Sequence, residues 1–365
     1  MLETIHEFAA EKLEEVDEGD GLPARELRRR HALYFLALAE EAEPHLQREE
    51  QAQWFNRLEW EHNNLHAAME WAMTHGEEEV ALRFGAALMT FWYNRYPAEG
   101  RWWLEGALRS RAGQPTLIRG RALHSAALAL RKTREYAQAR LLMEESLRIY
   151  QSLGDPTGIA SSLHRLADLI SESGAYEERP QAEELYQDAL KRFGEAGDLP
   201  SMAKVLNSMG ERARTDRDYA RAIDFYEKSL ALGHQVGDKQ GIATTQTNLA
   251  YALYRCEEYG RAMAILREAL GLFREVASAY SFGWALIACA GVMLAEGQPA
   301  KGARLIGLAN RLSAPGGAPF DPVDQTDREE IEGAIKAALS DDEWQRSLSE
   351  GSAMSMDKAI EEVFG

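Results

Sequence analysis

Apolar residues recur at helical spacing along almost the whole chain, and the two-residue alternation of a half-buried strand is nearly absent, which predicts an all-α protein. Leu27 to Glu43 reads as one strongly periodic helix that ends before Pro44. Glu50 to Thr74 reads as a second, with Trp54, Leu58, Leu65, Met69 and Ala72 along one face and Gly76 beyond its end. Glu78 to Tyr96 and Glu99 to Arg111 form a further pair, interrupted at Pro97 and closed by Gly113 and Pro115. Past the loop-like run Ala314-Pro315-Gly316-Gly317-Ala318-Pro319, three short helices are expected: Asp324 to Leu339, Asp341 to Gly351 and Ser355 to Val363. Asp341 and Ser355 are the expected N-caps of the last two.

Between Leu117 and Pro315 the pattern repeats. Tyr136, Tyr176, Tyr219 and Tyr259 are spaced 40, 43 and 40, and Ala139, Ala182, Ala222 and Ala262 follow at 43, 40 and 40. Gly154-Asp155, Gly197-Asp198 and Gly237-Asp238 close successive units in the same step. The one slip lies between Tyr176 and Ala182, where Glu178-Arg179-Pro180 reads as an inserted loop. Such a period marks a solenoid, in which each unit buries its apolar face against its neighbours. Within each unit the first helix places a small residue (Ala127, Ala167, Gly210, Ala250, Ala290) where the second must approach closely. The second helix answers with Ala139, Ala182, Ala222 and Ala262, then Met143, Tyr186, Tyr226 and Leu266, then Ser146, Ala189, Ser229 and Ala269. Small, large, small is the order two tightly crossed helices need.

That order resembles the tetratricopeptide repeat over residues 117–313, and more loosely over 78–113, with units of about 40 residues and Gly-Asp where a closing proline is usual. The resemblance implies a right-handed superhelical solenoid of tetratricopeptide-like helix pairs. The expected division is an acidic N-terminal helix (1–24), helical pairs leading into the array (25–115), the repeats (116–314) and an acidic helical C-terminal cap (315–365). A narrower likeness rests on three segments: Met1-Leu2-Glu3-Thr4-Ile5-His6-Glu7-Phe8-Ala9, Arg57-Leu58-Glu59-Trp60-Glu61-His62-Asn63-Asn64-Leu65, and Phe91-Trp92-Tyr93 followed by Glu99-Gly100-Arg101-Trp102-Trp103-Leu104. They are similar to the C-terminal portion of bacterial STAND-class regulators of the LuxR and AfsR-like kinds. In those proteins an NB-ARC ATPase and a winged-helix segment precede the repeats, and Met1 to Glu15 would fall at the end of the latter. The resemblance implies a sensory module without its ATPase or DNA-reading parts.

Composition narrows the partners. The net charge of −18 is concentrated in the ends: residues 1–24 carry eight acids and one base, and residues 321–365 carry thirteen acids and four bases. A nearly neutral array with acidic ends argues against direct nucleic-acid contact, which needs clustered Lys and Arg. The start lacks a basic segment followed by an apolar core, so a secretory signal is not expected and the protein reads as cytoplasmic. Val276 to Ala295 is uncharged for 20 residues, but its match to the first helix of a fifth repeat assigns it to buried core and not to a membrane. Cys256 and Cys289 are expected as buried thiols in a reducing compartment.

No nucleophile–base pair stands at recognisable spacing and no G-x-x-x-x-G-K-S/T loop occurs, so neither catalysis nor a cofactor is expected. His62 and His66 share a helix face, but Asn63 stands where a metalloprotease needs Glu, and no metal site is assigned. Binding is the expected chemistry, in a groove lined by the first helices. Its candidate residues are Arg121, His124, Arg131 and Lys132, then His164, Arg165 and Asp168, then Lys204, Asn207, Glu211 and Arg214, then Asn248, Tyr251, Tyr254 and Arg255. Arg forks grip carboxylates and Asn holds extended backbone, so an acidic peptide or a chain terminus fits; a solvated helix face is the bland alternative. Trp92, Tyr93, Trp102 and Trp103 form an aromatic concentration that either holds a small molecule such as a sugar or a flat ligand or, as the safer reading, packs a helix pair. Two functions stay open: the sensor of a STAND-like regulator with an N-terminal ATPase core, or a free-standing adaptor between proteins.

Overall fold

The computed structural model describes residues 24–46, 51–108, 115–174, 176–276, 278–312 and 322–364. All regular structure among them is helical, and they divide into two compact units, residues 1–154 and 155–365. The segments Met1 to Glu15 and Ala314 to Pro319 lie outside the described residues.

In the first unit, α1 (Ala24–Ala42) packs on α3 (His62–Thr74) and α4 (Glu78–Ala87), with α2 (Gln51–Trp60) preceding α3. The helix expected from Glu50 to Thr74 is therefore two, because Glu61 leaves helical geometry at φ −95°, ψ 7°. Leu88 (φ −90°, ψ 2°) likewise separates α4 from α5 (Met89–Arg95). The break expected at Pro97 is there: Tyr96 leaves helical geometry after α5, and Pro97 opens α6 (Pro97–Leu108), where its missing N–H costs nothing. The first full repeat follows as α7 (Leu117–Lys132) and α8 (Tyr136–Leu153). Its Ser146 hydroxyl, fully buried, donates to the Gly120 carbonyl at 2.8 Å.

The second unit stacks four helix pairs: α9 (Pro156–Glu172) with α10 (Arg179–Ala196), α11 (Leu199–Thr215) with α12 (Tyr219–Val236), α13 (Lys239–Arg255) with α14 (Tyr259–Glu275), and α15 (Ala279–Ala295) with α16 (Pro299–Leu312). Each helix packs on the next in chain order, the solenoid arrangement that the repeat spacing predicts. The Gly-Asp pairs show how the joints work. Gly154, Gly197 and Gly237 end their helices in the left-handed region at φ 67°, 68° and 71°, which satisfies the last carbonyls without a Cβ penalty. Asp155, Asp198 and Asp238 then accept the backbone N–H of Thr157, Ser201 and Gly241 as N-caps. Within pairs the turn also passes through a left-handed residue: Arg134, Gly174, Arg217, Glu257 and Gly297.

The three extra residues of the second repeat are not a loop inside a helix. Tyr176–Glu178 forms a 3-10 turn, and Arg179-Pro180 is already the first turn of α10, so Arg179 holds the place that Tyr136, Tyr219 and Tyr259 hold elsewhere. Gly210 shows what the small position is for: a Cβ there would lie 2.4 Å from the ring of Tyr226. The uncharged α15 is covered on every side, with Phe282 through Met293 all buried.

Three helices complete this unit. α18 (Asp341–Ser352) crosses α16 at glycine distance: a Cβ on Gly351 would lie 1.9 Å from the Arg304 carbonyl oxygen, and one on Gly307 would lie 2.2 Å from that of Leu348. Its N-cap is Ser340, not Asp341, in a capping box with Glu343. α19 (Met356–Phe364) is tied to α14 and α16 through Arg267, which donates to the Val363 carbonyl at 3.1 Å, and through the Arg304–Glu362 pair. These two helices close the end of the stack. The first of the three, α17 (Pro322–Ala337), does something else: it packs on α15 and α16 and reaches back to α11.

Candidate functional site

The first helices α9, α11 and α13 of the second unit lie side by side, and their polar residues join across the helix boundaries. On α9, His164 and Asp168 are buried at 4% exposure each. His164 Nε2 lies 3.0 Å from the Ser208 hydroxyl on α11. Asp168 accepts from the Tyr186 hydroxyl at 2.9 Å and from Arg165 at 2.8 Å. Burial, with the Asp168 charge beside it, pushes the Tyr186 pKa well up, so the phenol stays a donor. Further along, the Asn207 amide donates to Glu211 at 2.8 Å. The buried Asn248 amide on α13 reaches both Asn207 at 3.1 Å and Glu211 at 3.0 Å. Lys204 stands exposed one turn before Asn207 and Ser208.

Beyond this amide run comes an ionic cluster closed by the chain itself. Arg214 is only 2% exposed and pairs with Asp324 and, at 3.5 Å, with Asp327 of α17. Arg255 donates to Asp327 at 2.6 Å and pairs with Glu330. Burial pulls the Arg214 pKa down, but the carboxylates of Asp324, Asp327 and Glu211 outweigh it and hold the guanidinium charged; burial is outweighed at Arg255 in the same way by Asp327 and Glu330. Tyr251 is a correction to the expected groove. It is fully buried, stacked on Trp284 with ring centroids 4.5 Å apart, and it carries Arg214 over its ring at 5.3 Å. Tyr254 is half-buried against Tyr259, with Arg255 5.9 Å above its ring.

The remaining candidates lie in the first unit. Arg121 is exposed and donates to Glu43 at 2.7 Å. His124 and Arg131 are half-buried and each holds a contact with a neighbour. Trp92 and Trp103 are core residues at 1% exposure, and a Cβ on Gly100 would lie 2.3 Å from Trp92 Cβ, so α6 sits directly on α5 there. Trp102 is 52% exposed and meets Trp103 edge-on. The side chains of Tyr93 and Lys132 lie outside the described residues. His62 and His66 take different partners, Glu99 at 3.2 Å and the Trp103 ring. Among the described residues, no group of three or more His, Cys, Asp or Glu side chains is placed to hold a metal. Of the two cysteines, Cys289 is buried and Cys256 is exposed, since the latter sits in the turn after α13 and not within the helix. No helix among the described residues is long and apolar enough to cross a membrane.

Sequence reading did not find the role of Asp324, Asp327 and Glu330. The available signal was their spacing of three, which puts them on one face of α17 opposite the buried Arg214.

Two segments match the tetratricopeptide repeat. They are residues 120–153 and 242–279. Proteins of Mycobacterium bovis and Mycobacterium tuberculosis named as HTH-type transcriptional regulators are 27% identical over 172 residues, which is 45% of this chain but only 19% of each of them. Among solved structures, the apo form of RapI superposes with a TM-score of 0.50 at 13% identity, covering 85% of this chain and 87% of that one. BtubC from P. vanneervenii gives 0.42 at 17% identity, over 69% and 92% of the two chains. The likeness to RapI is one of fold.

Proposed function

We propose that this chain is a non-catalytic, partner-binding repeat module of a cytoplasmic signalling regulator of the STAND kind. The observation that carries the binding part is the polar run His164–Ser208 and Asn207–Glu211–Asn248, which crosses from helix to helix along one face of the second unit. A solenoid needs no such run for its core; buried His164 and Asn248 hold it in place, while the half-buried Asn207, Ser208 and Glu211 beside exposed Lys204 present the polar groups that suit the extended backbone of a bound segment. The regulatory part is supported by the names of the mycobacterial relatives and by the two tetratricopeptide matches. On this reading a partner on the first-helix face favours one packing of the pairs over another, by no more than its difference in affinity for the two.

Photo-crosslinking tests it. A benzophenone side chain at Lys204, on the proposed face, is compared in the native host with one at Glu184, exposed on a second helix. Specific capture of a protein from Lys204, weakened by Asn207→Ala, is the expected result. Equal capture from both positions, insensitive to Asn207→Ala, refutes the assigned face. An antibody against the chain, used on the same extract, separates the regulator from an adaptor. A native polypeptide much longer than 365 residues, with an ATPase segment identified by mass spectrometry, is expected; one no longer than this chain favours the adaptor.

A further inference from the structure

We propose that the face formed by Arg214, Tyr254 and Arg255 is a docking surface for an acidic amphipathic helix of a partner protein, and that α17 is the occupant the chain carries for it. The proposal rests on the partner-binding reading above and names the class of partner.

An ordinary capping helix covers the last pair of a stack, and α18 and α19 already do so. α17 also packs on that last pair, but it extends further, across the first helices to α11, two pairs back from the end. Its contact face has two halves. Asp324, Asp327 and Glu330, at successive spacings of three, meet Arg214 and Arg255. Ile331 and Ile335 then enter spaces that glycines leave open: a Cβ on Gly291 would lie 3.0 Å from Ile331, and one on Gly302 would lie 2.9 Å from Ile335. The receptor face therefore reads a pattern of three carboxylates followed by two aliphatic side chains one turn apart. Nothing in that pattern requires the helix to belong to this chain. α17 itself keeps few residues out of solvent, Asp327, Ile331 and Ile335, and most of its other described positions are exposed or half-buried. A buried arginine cannot be left without an acid, so the face holds either α17 or a substitute of like charge.

The experiment uses the full chain and a fluorescein-labelled peptide with the sequence of residues 321–340, read by fluorescence anisotropy. In the wild type the peptide competes with α17; in the variant Asp324→Asn, Asp327→Asn, Glu330→Gln the competitor loses its charges. If α17 occupies the face at least nine-tenths of the time, the variant binds the peptide about tenfold tighter than the wild type. A peptide with the same three acids amidated is expected to bind about tenfold more weakly than the acidic one. Equal affinity of variant and wild type, or of the two peptides, overturns the proposal. Because the variant strips Arg214 of its acids, Ile331→Ser with Ile335→Ser is run beside it. That variant loosens α17 through its apolar half, is expected to gain affinity for the acidic peptide in the same direction, and decides the matter if the first does not fold. A wild-type dimer formed by exchanged α17 helices would replace the external partner with a second copy and overturn the assignment. Failure here with specific crosslinking from Lys204 intact removes the acidic helix and leaves the partner-binding reading standing.

Discussion

Replacing Gly210 by alanine separates the two demands on the small position. Alanine in a helix interior is worth about 1 kcal/mol over glycine, so propensity alone predicts a more stable protein. Packing predicts the reverse. The new Cβ would lie 2.4, 2.6 and 2.9 Å from three carbons of the Tyr226 ring, against about 3.5 Å for ordinary carbon contact. Tyr226 is fully buried and cannot swing into solvent, so helix or ring must shift by about 1 Å. Overpacking on this scale costs about 3 kcal/mol, which leaves a net loss of about 2 kcal/mol after the helical gain. For a unit of this size that lowers the melting temperature by about 4–8 °C in differential scanning calorimetry. The fourth repeat supplies the rescue, since Ala250 and Leu266 hold the corresponding two positions there, both fully buried. Gly210→Ala with Tyr226→Leu reproduces that pair, and the double-mutant cycle should show a favourable coupling of about 2 kcal/mol. A Gly210→Ala protein that melts higher than the wild type, or a cycle with no coupling, refutes the close-approach argument.

Other outcomes follow from the joints, the thiols and the cap. Arg217→Gly relieves a left-handed residue at φ 60° and should stabilise by about 1 kcal/mol, while Gly197→Ala, at φ 68°, should destabilise by a similar amount; urea denaturation followed by circular dichroism reads both. A disulfide-exchange reagent should titrate one thiol in the native protein and two after denaturation, because Cys256 is exposed whereas Cys289 is buried and burial pushes its thiol up to about 12; two fast native thiols would contradict the packing of α15. Glu343 is held below the usual carboxylate range by hydrogen bonds from the Ser340 hydroxyl and backbone. Its contribution is complete above the unfolded carboxylate pKa and is lost as pH falls through the lowered one, so wild type and Glu343→Gln should converge in melting temperature on acidification. A gap between them that does not narrow would exclude the capping box as its source.

The repeat register was legible because it is local and periodic. Ala250 with Leu266, or Gly237 with Asp238, are separated by less than one unit and recur, so the spacing exposes them. The ionic cluster was not, since Arg214 and Asp324 are 110 residues apart and belong to segments of different character. The tail's acidity suggested a solvated cap, and only coordinates show three of its carboxylates aimed at arginines. Helical spacing from Ala250 puts Tyr251 on the groove, but Trp284 of the next first helix covers it; neighbours one unit away decide burial where a single helix wheel cannot. The helix breaks at Glu61 and Leu88 carry neither glycine nor proline, so the chain offers no local signal for them. The exposure of Cys256 turned on one residue of helix boundary, the scale at which sequence patterns are least sharp.

A stack held only by nearest neighbours can fray one pair at a time from its open end, each loss costing a single interface. α17 removes that freedom in the second unit, because it bolts α11 to α15 and α16 across the intervening pair. Undoing the last pairs then first requires surrendering Arg214 to solvent or to emptiness, so the stretch from α11 to α16 should melt as one block. That unit thereby trades the gradual elasticity of an open coil for a clasp that holds or yields as a whole.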